Sequence, residues 1–236
     1  MLIFIHHALL YGHMATGIAA MVLFWFAIFA TKGSPLHRRS GRYFNRMMLA
    51  TSLAGVVMAL MSLSLAQQLH GPFAASPGFT GLFLFLLLLS WLAFHGTFSG
   101  ELALRQQHSR HYGQMASAVI LLILGSVMLW VGASSFGLAA PIFSCLAIVL
   151  GGVQLWWNWH HGRLNQRQRL GHHISHQLAA VSAIYVAFFA AAGRQGLLDF
   201  LPEQAQFLPW VIPALLARLL AWHYKRHWLA TSRQLA

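Results

Sequence analysis

Long apolar stretches separated by short basic segments set the pattern of this chain. The first, "LIFIHHALLYGHMATGIAAMVLFWFAIFA", runs from residue 2 to residue 30. A helix needs roughly 20 apolar residues to cross the hydrocarbon core of a bilayer. By that measure the pattern predicts spans at about 2–30, 45–66, 80–101, 114–133, 138–158, 176–192 and 207–224. The expectation is an all-α polytopic membrane bundle of about seven transmembrane helices, forming a single integral membrane domain over 1–236. The composition agrees: 58% of residues are hydrophobic and 8% charged, against about a quarter charged in soluble domains.

The basic residues fall at every second junction. Lys32, Arg38, Arg39, Arg42 and Arg46 follow the first span, Arg105 and Arg110 the third, and Arg163, Arg167 and Arg169 the fifth, while Arg218, Lys225, Arg226 and Arg233 close the chain. Only Arg194 falls on the other side, in a loop that also holds Asp199 and Glu203. Short loops rich in Lys and Arg stay in the cytoplasm, so the N-terminus is expected outside and the C-terminus in the cytoplasm of a bacterial inner membrane. Segregated in this way, the formal charge of +12 reads as contact with anionic lipid headgroups, not with nucleic acid. Nothing basic precedes the first apolar run, which is far longer than a signal-peptide core, so it is expected to be retained. The lone Cys145 leaves no cysteine pair for a disulfide or an iron–sulfur site, and redox chemistry would have to use histidine.

Three inner junctions share a grammar. In "HRRSGRYFNR" (37–46), "RHYGQM" (110–115) and "RQRLGHHISH" (167–176) an arginine precedes a glycine, Gly41, Gly113 or Gly171, and a polar residue opens the next span. Glycine with positive φ suits the end of a helix. The pattern suggests three hairpin units followed by a last helix. Gly96 and Gly100 on the third span, and Ala180, Ala183, Ala187 and Ala191 on the sixth, mark two helices expected to face protein, because small residues let backbones approach closely in a membrane.

Fifteen histidines are the chemical signal, since ionisable groups in membrane spans carry a partner or a role. His6, His7, His13 and His70 belong to the outer half, the other eleven to the inner half or the cytoplasmic edge. His6 and His13, seven apart, share a helix face with Thr16 and Gly17. His95 lies about 9 Å from the inner boundary and His176 about 6 Å, at 1.5 Å per residue, so these two are the expected inner ligands, with His172 the substitute one turn away. His173 is expected to point about 100° aside. Glu101 is the carboxylate expected to act behind the ligands, and His7 with His70 is the expected outer pair, His13 lying deeper.

Three functions fit this pattern. Histidines from different helices could ligate heme b in a redox component that exchanges electrons with quinone or a partner protein. The inner clusters His108 and His111, His160 and His161, and His172, His173 and His176 could form a non-heme iron, zinc or copper site like the histidine boxes of membrane desaturases and hydroxylases. The histidines could also be cofactor-free polar groups of a transporter, scaffold or assembly factor. A hydrolytic triad lacks a buried acid, no phosphate-cradling glycine loop is present, and Trp156, Trp157 and Trp159 read as an interfacial aromatic belt.

The opening third, with its histidine- and glycine-bearing first span and the following "KGSPLHRRSGRYFNRMM", resembles an uncharacterised family of bacterial multi-pass membrane proteins of unknown function. The likeness covers roughly residues 5 to 60 and centres on an "HRxxGRxY"-like element, here His37, Arg38, Gly41, Arg42 and Tyr43. It implies a multi-pass membrane fold and no particular activity. Buried histidines at two depths are similar, in architecture, to cytochrome b561 and ferric-reductase-like proteins.

Overall fold

Helices follow one another almost without interruption in the computed structural model, which describes residues 1–76, 78–105, 110–132, 139–160, 164–194, 196, 200–202, 205 and 208–231. They are α1 (Leu2–Phe29), α2 (Pro35–Ser64), the short α3 (Ala66–His70) with a 3-10 turn at Gly71–Ala75, α4 (Phe79–Arg105), α5 (Tyr112–Gly132), α6 (Ala139–His160), α7 (Gln166–Arg194) and α8 (Leu208–Thr231). No strand occurs among the described residues. The all-α expectation holds. Five helices, α1, α2, α4, α5 and α6, are long and apolar enough to cross a membrane, the make-up of an integral membrane protein. With 29 and 24 residues α7 and α8 have the length. Arg167, Arg169 and three histidines in α7, and Arg218, His223, Lys225 and Arg226 in α8, dilute their apolar character.

Two helices start earlier than the apolar pattern suggests, α2 at Pro35 and not near 45, α7 at Gln166 and not near 176. The basic stretches are helical turns whose long side chains reach outward, not loops. Ser34 caps α2 by accepting a hydrogen bond from the His37 amide at 3.2 Å, and Pro35 occupies the first helical turn, a position suited to its fixed φ. The glycines expected to end helices, Gly41, Gly113 and Gly171, lie within α2, α5 and α7. Positive φ occurs instead at Gly33, Gly71, Gly78 and Gly196.

Several of the basic side chains serve helix ends. Lys32 Nζ donates to the carbonyls of Ala27 (3.0 Å) and Ile28 (2.6 Å), and His37 Nδ1 donates to that of Ala27 (2.9 Å). Cations there complement the negative end of the helix dipole. Partial burial pushes the Lys32 ammonium below the ordinary lysine pKa. Arg169 in the same way donates to the carbonyls of Ala103 and Leu104 at the end of α4.

The central element is α4, which packs against α2, α5 and α7, with α1 outside α2, α6 outside α5 and α8 outside α7. In α4 61% of the apolar window is buried, in α1 11%, so α1 faces lipid and α4 faces protein. Glycines set the closest approaches. A Cβ at Gly125 of α5 would lie 3.0 Å from the Ser144 carbonyl, and one at Gly151 of α6 would lie 2.9 Å from that of Ala118, which is how small residues hold membrane helices together. The hairpin expectation holds for the α1–α2 and α4–α5 units and fails for the third. Backbones of α6 and α7 do not form a close pair, because α7 spends its small-residue face on α4.

Candidate functional site

The α4–α7 seam begins at Gly96. A Cβ there would stand 2.9 Å from the His176 carbonyl oxygen and 3.0 Å from both Cβ and N of Ala180. A Cβ at Gly100 would meet the Gln177 side chain at 2.8 Å. His173, expected about 100° around α7 from His172 and His176, donates from Nδ1 to the Gly100 carbonyl at 2.8 Å and ties α7 to α4. This backbone contact brings the His95 and His176 rings to 5.8 Å between centroids, at 75°.

His95 is 2% exposed. Its Nδ1 lies 3.0 Å from Ser117 Oγ on α5, and Trp91 Nε1 donates to the Ser117 backbone carbonyl at 2.9 Å, so α5 fixes the ring. His95 Nε2 is buried with no hydrogen-bond partner among the described residues. Unmade, such a bond costs about 1–3 kcal/mol, so something that binds at this nitrogen is favoured. On the far side of His176, at 5.9 Å and 22°, lies His172, whose ring meets Trp157 of α6 at 4.3 Å.

Buried polar side chains recur on the helices that carry and flank these rings. Gln114, Ser117, Ser99, Thr97, Gln154 and Asn158 are all buried, and Gln154 Nε2 donates to Asn158 Oδ1 at 2.8 Å. Ser99 Oγ, Asn158 Nδ2 and Ser175 Oγ are buried without a hydrogen-bond partner among the described residues. Glu101, expected behind the ligands, pairs with Arg105 one turn along. Lys225 of α8 lies close enough to act electrostatically on His176.

Other expected residues find local partners. His111 Nδ1 accepts from the Gln114 amide at 3.3 Å, and His160 Nδ1 donates to the Trp156 carbonyl at 2.9 Å. His108 and His161 lie outside the described residues. Among the described residues no group of three or more His, Cys, Asp or Glu side chains is placed to hold a metal ion. The His6 ring stands 5.7 Å from that of His70 and 6.2 Å from that of His7, so both members of the expected pair, His7 and His70, adjoin His6. His70 Nε2 lies 3.0 Å from Ser62 Oγ. His13 Nδ1 donates to the Thr51 carbonyl at 2.8 Å, and its Cε1 lies 3.2 Å from the point a Gly55 Cβ would occupy.

Ser117, Trp157 and the buried amides were not among the expected site residues. A signal for them exists: Gln114 with Ser117, and Gln154 with Asn158, recur at three- and four-residue spacing inside apolar spans, which puts each pair on one helix face. Compared with protein-family models, curated proteins and solved structures, the chain finds no match.

Proposed function

We propose that this chain is a seven-span protein of the bacterial inner membrane, N-terminus outside and C-terminus cytoplasmic, in which the His95–His176 pair passes protons through the inner half of the bilayer as part of a transport function. The carrying observation is His95 Nε2, buried and without a hydrogen-bond partner among the described residues, on a ring 5.8 Å from a second imidazole. An imidazole can take a proton on one nitrogen and release one from the other. A water between the two rings would satisfy Nε2 and link them. Ser117 on one side and His172 on the other extend the chain of groups able to donate and accept.

A second reading, a redox component carrying heme b, is favoured by one feature. Metal-bound histidines hold their other nitrogen by hydrogen bond, as Ser117 holds His95. Against it, α4 and α7 touch at Gly96, beside His95 and under His176, and a flat macrocycle between these two imidazoles would have to part the helices. In heme chemistry the porphyrin iron would supply the electron; the residues here would supply one anchored ligand.

The test uses purified protein in vesicles loaded with a pH-sensitive dye, with a potassium diffusion potential as drive. Protein free of a Soret band should carry proton flux, and His95→Phe should lower it roughly a hundredfold, the scale of removing a positioned proton carrier. Flux equal to that of empty vesicles, or unchanged in His95→Phe, would overturn the proposal. A Soret band lost in His95→Ala would install the heme reading in its place.

A further inference from the structure

Helix α8 turns one stripe inward. Ala217 and Ala221 are buried, and Tyr224 and Lys225, one turn further on, are half-buried, whereas Trp222, His223 and Arg226 are exposed. The spacing 217, 221, 224 and 225 is that of one helix face, and the helix packed against α8 is α7. Lys225 therefore stands on the face that α8 turns to α7, close enough to His176 to act on it electrostatically. A second ammonium stands across Tyr224: Lys32 Nζ lies 5.2 Å from the centre of that ring. Its bonds to the carbonyls of Ala27 and Ile28 use two of its three N–H donors. We infer that Lys225, with Lys32 across Tyr224, forms an oxyanion site beside His176, for the carboxylate or phosphate group of an anion.

Charge argues for this class of ligand. Every titratable group that acts on His176 is a base, Lys225 or one of His95, His172 and His173. His37 acts on His173, and Arg218 acts on Lys225. Glu101 is the one acid among the described residues, and it pairs with Arg105. Asp199 and Glu203 precede α8 in the chain, whereas Lys225 lies about 25 Å along the helix axis from Leu208 at 1.5 Å per residue. Lysines at a membrane edge ordinarily carry the ammonium out to the headgroups. On α8 that role belongs to Arg226, which is exposed and lies over Trp222, 5.0 Å from its centroid, while Lys225 starts from the face packed on α7. Ionisable groups inside a membrane bundle mark ion and substrate pathways. A cationic ligand would be repelled by this set, and an uncharged one would leave the ammonium uncompensated. Carboxylate and phosphate oxygens accept charge-assisted hydrogen bonds from ammonium and imidazole alike. His176 and Lys225 each keep accessible surface on which such a group can sit.

The site stands without proton flux; only the reading of the oxyanion as the species carried with the proton rests on the function proposed above. Thermal unfolding of the whole protein in phosphatidylcholine nanodiscs tests the site, with sodium lactate or sodium phosphate titrated against sodium chloride of equal ionic strength. A ligand that binds only the folded protein raises its stability with concentration. Lactate or phosphate should raise the unfolding midpoint above that in chloride. Lys225→Gln should raise the concentration needed for the same shift by at least about tenfold, the worth of a hydrogen bond to a charged group. Arg39→Gln, at an exposed base of α2, should leave that concentration unchanged, which separates a site from a general salt effect. Nanodiscs containing phosphatidylglycerol distinguish the sources: a shift by the lipid that is lost in Lys225→Gln, with none from the soluble anions, assigns the site to a headgroup phosphate. Should Lys225→Gln fail to fold, Lys32→Gln is the second variant and should also weaken the effect. No shift by either anion or by the lipid, or an equal shift in the folded variant, would overturn the site. Proton flux without an anion effect leaves the proton reading and removes this site; an anion effect without flux keeps the site and removes the coupling.

Discussion

Helix α7 has two unlike sides. Toward α4 it offers Ala180, the His176 carbonyl and Gln177 to Gly96 and Gly100, with no room for a methyl group between them. Toward α6 it offers His172 to Trp157, with the backbones apart. In a bilayer, lipid tails are as apolar as leucine, so helix association depends on close van der Waals fit and on hydrogen bonds. The tight side therefore sets the frame, and the loose side, held by two large rings, can open without breaking it. Chemistry sits beside the tight side, where Gly96 sets the backbones next to His95 and His176 and their rings stand 5.8 Å apart.

That contrast breaks most directly at Gly96. Gly96→Val would drive two methyl groups into the His176 carbonyl and the Ala180 backbone, neither of which is a flexible side-chain end. The expected outcome is loss of monodisperse protein on size exclusion in detergent, with Gly96→Ala destabilised by about 1–3 kcal/mol, the usual cost of overpacking. Trp157→Ala, on the loose side, should unfold within about 1 kcal/mol of the parent in the same detergent titration, because lipid or detergent replaces the lost contact. Equal losses at the two positions would show that α7 does not have a tight side and a loose one.

Most of the frame could be read from the sequence because it depends on periodicity and residue size. Apolar runs long enough to span a bilayer, Gly96 four residues before Gly100, and Ala180 with Ala183 all announce themselves by spacing. His95 and His176 were found by counting depth along two helices, which works because the rise per residue is constant. The helix starts were missed because arginine and histidine at a membrane edge look like loop in hydropathy, although Ser34 followed by Pro35 is a cap signal. The partner of His173 was not legible because it depends on which neighbour supplies an open carbonyl, here Gly100 of α4. The contact of His70 with His6 was not legible either, because α3 and the 3-10 turn that carry His70 are absent from any apolar pattern.

A smaller effect sharpens the same picture at His173. Its Nδ1 donates to the Gly100 carbonyl, a polar tie across the tight side beside those of Arg169 to the end of α4. His173→Phe keeps a ring and removes the donor, leaving a carbonyl in a partly buried place, so a loss of about 1 kcal/mol is expected in detergent unfolding. His173→Gln, which can still donate, should recover part of it. Equal stability of all three proteins would mean that packing at Gly96 and the Arg169 bonds hold the seam without His173.

The smallest expected change lies where α7 meets α1. Trp25 Nε1 donates to Tyr185 Oη at 2.8 Å, a bond between two long side chains on helices that otherwise touch lightly, near the contact of Ile184 with Gly17. Trp25 is 44% exposed, so its indole can turn toward other acceptors once the hydroxyl is gone. Interhelical bonds of this kind in membranes are worth about 0.6 kcal/mol on average. Tyr185→Phe should therefore cost about half as much as His173→Phe, and indole fluorescence of the folded protein should change before its stability does. A cost above about 2 kcal/mol would place α1 within the frame that α4 and α7 make, and α7 would then have three structural sides in place of two.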